Sequence, residues 1–194
     1  MNGIAKYVLI AAVIGGIYVY SSDTTEDVKD IDLNAVLDVT VDTLHSYQAS
    51  LEGKEKPDAD KTFTGLAEKL EFGYNTATPP LHPTKISVMP RADASLLAYE
   101  DINANKAIDE GEAALFSIEI DGEKARVIAT SRSGAVNDHH FSGTGLLAGY
   151  LIGSMLTRQR GAGVSSKSLA SKQPVTAQAA ARSRAGSGSH SKGK

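Results

Sequence analysis

Twelve consecutive residues hold most of the recognisable chemistry of this chain: Asp101-Ile102-Asn103-Ala104-Asn105-Lys106-Ala107-Ile108-Asp109-Glu110-Gly111-Glu112. Oxygen-bearing side chains stand at the first, third, fifth, ninth and twelfth positions, with an aliphatic residue at the eighth. A hard cation such as calcium takes about six to eight oxygens, more than any one side chain supplies. A loop that wraps such an ion must offer carboxylates and amides at alternate positions and then close with a two-oxygen carboxylate. The spacing meets that demand.

The stretch resembles the calcium loop of EF-hands and of the related dockerin-type loops, over these twelve residues alone. The resemblance implies calcium as the cofactor, with Asp101, Asn103 and Asn105 as opening ligands and Ala107 contributing its backbone carbonyl. It makes Asp109 a ligand directly or through water, and Glu112 the bidentate closing ligand. Ile108 takes the aliphatic position that turns inward to the core. Lys106 departs from the pattern, because the family places glycine there for a sharp turn. A lysine at that point must adopt left-handed backbone geometry, at a cost on the order of 1 kcal/mol, and it brings a positive charge close to the ion. No second loop accompanies the first, so the expected affinity is weak, in the range of roughly 10⁻⁴ to 10⁻³ M that suits extracellular modules. The alternative is an acidic turn held by hydrogen bonds from its own Asx side chains, with no ion.

Other constellations are poorer. Asp138-His139-His140 could hold a transition metal, but adjacent residues share one ion badly, and a polar cap ahead of Phe141 explains them as well. Ser131 and Ser133 have histidines in the chain but no nucleophile-elbow pattern around them. No phosphate-binding loop, zinc-protease helix or dinucleotide fingerprint occurs. The chain has no cysteine, which excludes disulfides and thiolate metal sites. Tryptophan is absent and aromatics make up 6%, which argues against a large, densely packed enzyme domain. A non-enzymatic protein is expected.

The elements that must position the loop read as a small α+β domain. Asp32 is placed to cap a helix that begins at Leu33 and sets Leu33, Val36, Leu37, Thr40, Val41 and Leu44 on one face, although Leu37–Thr43 also alternates like a strand. Residues 64–70 suit a short helix, and the stretch from Gly73 to Pro83 a structural break. Residues 85–89 read as a strand, 95–99 lead into the loop, and 115–120 leave it with the alternation of a strand. Asp121-Gly122 suits a hairpin turn in which glycine takes positive φ, and 125–130 is the return strand. The loop thus belongs to a β-meander.

Outside the meander, charge and hydropathy divide the chain. Ser22 to Thr157 holds all 23 acidic residues against 11 basic ones, a net of −12, whereas Arg158 to Lys194 has 8 basic residues and no acidic one. Ile4–Tyr20 is apolar apart from Lys6 and would span roughly 25 Å, enough for a short transmembrane helix. The alternative is a cleaved signal peptide. The charge bias places the N-terminus in the cytoplasm and exports the acidic body, so the expected setting is a cell envelope, with the inner membrane as address and the body in the periplasm or outside the cell.

A second uncharged run, Phe141–Leu156, repeats glycine at Gly145, Gly149 and Gly153. This small-residue face would let helices approach closely inside a membrane. The alternative is a helix that lies on the surface or packs against the domain. The tail beyond it lacks large apolar groups and is expected to be disordered. No base-reading module accompanies its positive charge, which argues against nucleic acid.

The expected organisation is therefore a membrane anchor or signal segment at 1–21, an acidic helix/strand segment and linker at 22–83, and the meander with its calcium loop at 84–140. A glycine-rich apolar helix follows at 141–157 and a basic disordered tail at 158–194. The expected function is that of a non-enzymatic, membrane-anchored envelope protein whose metal-binding loop is structural, with a further envelope protein or a homo-oligomer as partner. The alternative is a two-pass membrane assembly component that oligomerises through its Gly-xxx-Gly face.

Overall fold

The computed structural model describes residues 31–53, 55, 58–141 and 149–186. The expected anchor at 4–20 lies outside them. Among the described residues no helix is long and apolar enough to cross a membrane, which corrects the transmembrane part of the expected fold.

Two antiparallel helices come first, α1 (Leu33–Leu51) and α2 (Ala59–Thr76). Asp32 caps α1 by accepting from the N–H groups of Asn34 and Ala35, satisfying donors that a helix start leaves free. Leu33, Val36, Leu37, Thr40, Val41 and Leu44 are buried along one side. The helical period therefore prevails over the competing strand period. Asp58 caps α2, which buries Phe63, Leu66, Ala67, Leu70 and Tyr74. The Thr40 hydroxyl meets the Tyr74 hydroxyl at 2.8 Å, and Gly73 lets α1 come close, since a Cβ there would lie 3.0 Å from Val39.

The helices cover one face of a five-stranded antiparallel sheet in simple sequence order: β1 (Ile86–Pro90), β2 (Leu96–Glu100), β3 (Ala114–Asp121), β4 (Arg126–Ser131) and β5 (Val136–His140). Alternation puts Phe116, Ile118 and Ile120 of β3 and Val127 and Ala129 of β4 into the core beneath the helices. The same alternation turns Glu119, Asp121, Arg126, Ile128 and Asp138 to the other face, where Glu119 sits opposite Ile128 and Asp121 opposite Arg126. In the β3–β4 hairpin, positive φ falls on Ala125 (52°) and not on Gly122. What Gly122 provides is room: a Cβ there would lie 2.6 Å from Leu156.

Among its described residues, 141 and 149–156, the second uncharged run forms no membrane-spanning helix. Residues 150–156 open α3 (Tyr150–Gly161), only 12 residues long, which buries Leu151, Ile152 and Met155 in the domain's own core. Buried glutamines tie it down: Gln48 accepts from the Leu151 N–H, and Gln159 donates to the Ile120 carbonyl. Gly145 lies outside the described residues. Gly149 abuts Gln48 of α1, whereas a Cβ at Gly153 would meet nothing. The two described glycines therefore share no packing face.

The basic tail is likewise not disordered through its described length. It forms α4 (Ser166–Ser171), which lies on the second face of the sheet, and α5 (Ala177–Gly186), whose Arg184 donates to the Ser133 carbonyl at the β4–β5 turn. Leu169 is buried there, Lys172 pairs with Glu119, and Val175 forms an antiparallel bridge with Val136. The shortage of apolar residues that suggested disorder is offset by pairing with the acidic body and by main-chain bonds to the sheet.

Candidate functional site

The loop from Asp101 to Glu112 joins β2 to β3, with a β-bulge at Ala98/Tyr99 where it leaves the sheet. Asp101 is completely buried at its root. Its carboxylate accepts from the Ser87 hydroxyl at 2.5 Å, the Asn105 N–H at 2.9 Å, the Lys106 N–H at 3.3 Å and the Lys85 ammonium at 3.4 Å. Burial pushes the Asp101 carboxyl up, but the Ser87 hydroxyl, the Lys106 N–H and the Lys85 charge outweigh it, so the group is held below its ordinary value.

Other side-chain oxygens of the loop are also engaged. Asn103 Oδ1 accepts from the Asn105 N–H, and Asn105 Oδ1 accepts from the Ala107 N–H. Both asparagine amides donate to Asp109 Oδ2, each at 2.7 Å. Glu112 clamps the two arms, with one oxygen accepting from the Ile102 N–H and the other from the Asp109 N–H. All five side-chain oxygen positions read from the spacing are thus brought into one loop, and Ala107 joins them through its N–H.

They meet as a hydrogen-bonded network. Among the described residues no group of three or more His, Asp or Glu side chains is arranged to hold a metal ion. That finding corrects the calcium-binding, EF-hand-like reading. The physical reason is that N–H and ammonium donors already face these oxygens, which is the Asx-turn arrangement.

Two further details depart from the resemblance. Ile108 does not turn into the core but is 43% exposed. Lys106 does take left-handed geometry (φ 61°), as its position demanded, but Ala104 takes it too (φ 59°). Each such residue costs on the order of 1 kcal/mol, which the network must offset. Lys106 then reaches Glu71 of α2 at 3.7 Å, and Lys85 reaches the same carboxylate at 3.7 Å, so the loop is tied laterally to the helix.

A second polar cluster had no signal in the sequence. Arg126, nearly fully buried, donates from Nε to Asp121 Oδ2 at 3.1 Å, from one terminal nitrogen to Asp138, and from the other to the Leu169 carbonyl at 2.9 Å. Burial opposes its charge, but the Asp138 and Asp121 carboxylates outweigh burial and hold its pKa above the ordinary arginine value. A single arginine in the run Arg126-Val-Ile-Ala-Thr130 looks like a solvated strand residue. Only the tail, placed over it, makes it interior.

The arginine also decides the fate of Asp138-His139-His140. Asp138 pairs with Arg126, the ring of exposed His140 lies 3.6 Å from the same carboxylate oxygen, and His139 is exposed. Ser131 and Ser133 bond to each other at 2.7 Å and close the β4–β5 turn around Ala135, with no histidine among the partners seen. Comparison of the chain with protein-family models, curated proteins and solved structures gives no match.

Proposed function

We propose that this chain is a non-enzymatic interaction module that presents the 101–112 loop to another protein. One observation carries the reading. The exposed large apolar side chains among the described residues are Phe72, Ile102 and Ile108. Two of them stand on the loop, and the third follows Glu71, the helix residue to which the loop is tied.

Isolated surface aliphatics are ordinary. Here they project from a backbone held by at least eight hydrogen bonds within residues 101–112. A preorganised loop loses little entropy on docking. Apolar anchors inside a polar rim are the usual anatomy of a binding surface. The rim is acidic, with Asp109 and Glu110 exposed beside Lys106, so the partner surface should offer apolar pockets edged by basic groups.

The test is photo-crosslinking in the cells the protein comes from, with benzoylphenylalanine placed in turn at Phe72, Ile102, Ile108 and, as control, Arg91 at the opposite end of the sheet. One adduct of common mass at the first three positions, absent at Arg91, is expected, and it should disappear when the other two apolar residues are changed to serine. Equal labelling at Arg91, no adduct, or an adduct of exactly two copies of this chain would overturn the reading.

A further inference from the structure

Both edges of the sheet are closed by groups that imitate a neighbouring strand. At β1 the Asn75 side-chain amide accepts from the Ile86 N–H at 2.9 Å and donates to the Ile86 carbonyl at 2.7 Å. At β5 the backbone of Val175 exchanges two bonds with Val136, each 2.8 Å, and the next outward N–H, that of Asp138, is taken by its neighbour Asn137. Open strand edges are templates for pairing, so such caps are informative. The cap on β1 is a side chain fixed on a long helix. The cap on β5 is different in kind: it is a piece of main chain, carried on a segment that follows Gly161-Ala162-Gly163, with Gly163 at φ 74°.

We propose that residues 164–176 form a strap that adds to β5 as a strand ligand, and that a second copy of this chain can take it in exchange. The occupant is fixed by what already sits there. Apart from the hinge bond from the Val164 N–H to the Gln159 carbonyl, the bonds seen between strap and body run to β3, β4, β5 or the hairpin between β3 and β4: Leu169 carbonyl to Arg126, Ala170 carbonyl to Lys124, Lys172 to Glu119, and Val175 to Val136. These partners lie far from the strap in sequence, and nothing in the pairing distinguishes one copy's strap from another's. The carboxylates paired with Arg126, Asp121 and Asp138, belong to the body and do not leave with the strap. Swapping an identical element across a short hinge needs no new contact. A strap tethered this way has an effective concentration on the order of mM, so exchange should grow as the chain approaches that concentration.

The chain lacks cysteine, which makes a clean test possible. Separate V136C and V175C chains, tagged to differ in mass, are mixed at about 1 mM and oxidised. Exchange predicts that the 136–175 heterodimer outnumbers each homodimer by roughly tenfold, reflecting the high effective concentration of a paired site. Random pairing, in which the heterodimer is only half of the covalent dimer, would overturn it. Should either variant melt early, light scattering on the unsubstituted chain gives a second reading. A reversible dimer that rises with concentration is expected, and it should be abolished when V136C/V175C is oxidised within one chain. No dimer, or a dimer that persists in the locked chain, defeats the proposal.

Discussion

The 101–112 loop and the 164–176 strap are both polar, both short of apolar residues, and both ordered, yet they achieve order by opposite means. In the loop, nearly every bond joins residues within the twelve, and Lys85, Ser87 and Glu71 only steady its root and flank. In the strap, the bonds that hold it reach across some forty to fifty positions of sequence. A locally closed segment keeps its shape when its surroundings loosen. A segment closed at long range depends on the whole body being folded, because loop-closure entropy must be offset first. That contrast suits the loop to presenting a fixed surface and the strap to letting go.

Loop and strap should part most clearly in a variant at Arg126. Arg126→Met leaves Asp121 and Asp138 without their cation and should cost about 3–5 kcal/mol, read from urea midpoints. Amide exchange should accelerate in the strap while the loop stays protected. Loss of protection in both segments together would mean that loop and strap are not held independently. Asp101→Ala is next, at roughly 2–4 kcal/mol, because it strands the Ser87 hydroxyl and two loop N–H groups. Its exchange signature should be the converse, with the loop opened and the strap intact. Leu169→Ala removes the buried side chain of α4 and should cost about 2–3 kcal/mol, again confined to the strap.

Acid offers a finer probe. The Asp101 carboxyl is held below its ordinary value, so its stabilising contribution is present above the unfolded pKa of about 3.9 and is lost as pH falls through the lower folded value. Stability measured from pH 6 down to pH 2 should therefore drop less steeply in Asp101→Asn than in the parent chain. Identical slopes would show that the root of the loop is not ion-paired as described. The smallest effect is expected at Ala104, whose left-handed backbone suits glycine. Ala104→Gly should raise stability by about 0.5–1 kcal/mol. Calcium gives a last check on the loop as a self-contained network: at about 10 mM, roughly ten times the weakest extracellular affinities, the melting temperature should not move. A clear rise would return the loop to the class of metal sites.

Much of the helical layer was legible from local pattern. Asp32 and the face from Leu33 to Leu44 followed from one cap and one period, since both signals act within a few residues. The place of the loop between two strands, and the left-handed turn at Lys106, were legible for the same reason. The direction of Ile108 was not, because whether an aliphatic residue points into a core depends on where the core lies. The glycine repeat misled in a similar way. Equal spacing at Gly149 and Gly153 says that they share a helical face only if the helix covers both, and α3 begins after Gly149.

By itself, the sequence determined what is settled over short range: the caps, the helical face, the meander around an oxygen-rich turn, and the separation of an acidic body from a basic tail. The tertiary structure decided what depends on distant neighbours. It turned the turn's oxygens toward N–H donors, drew the apolar start of a 12-residue helix into the domain's core, and laid the tail across the sheet so that Arg126 became interior. Charge complementarity between body and tail is visible in composition, but composition carries no register. Only the folded sheet sets Glu119, Arg126 and Val136 at the spacing that Lys172, Leu169 and Val175 meet.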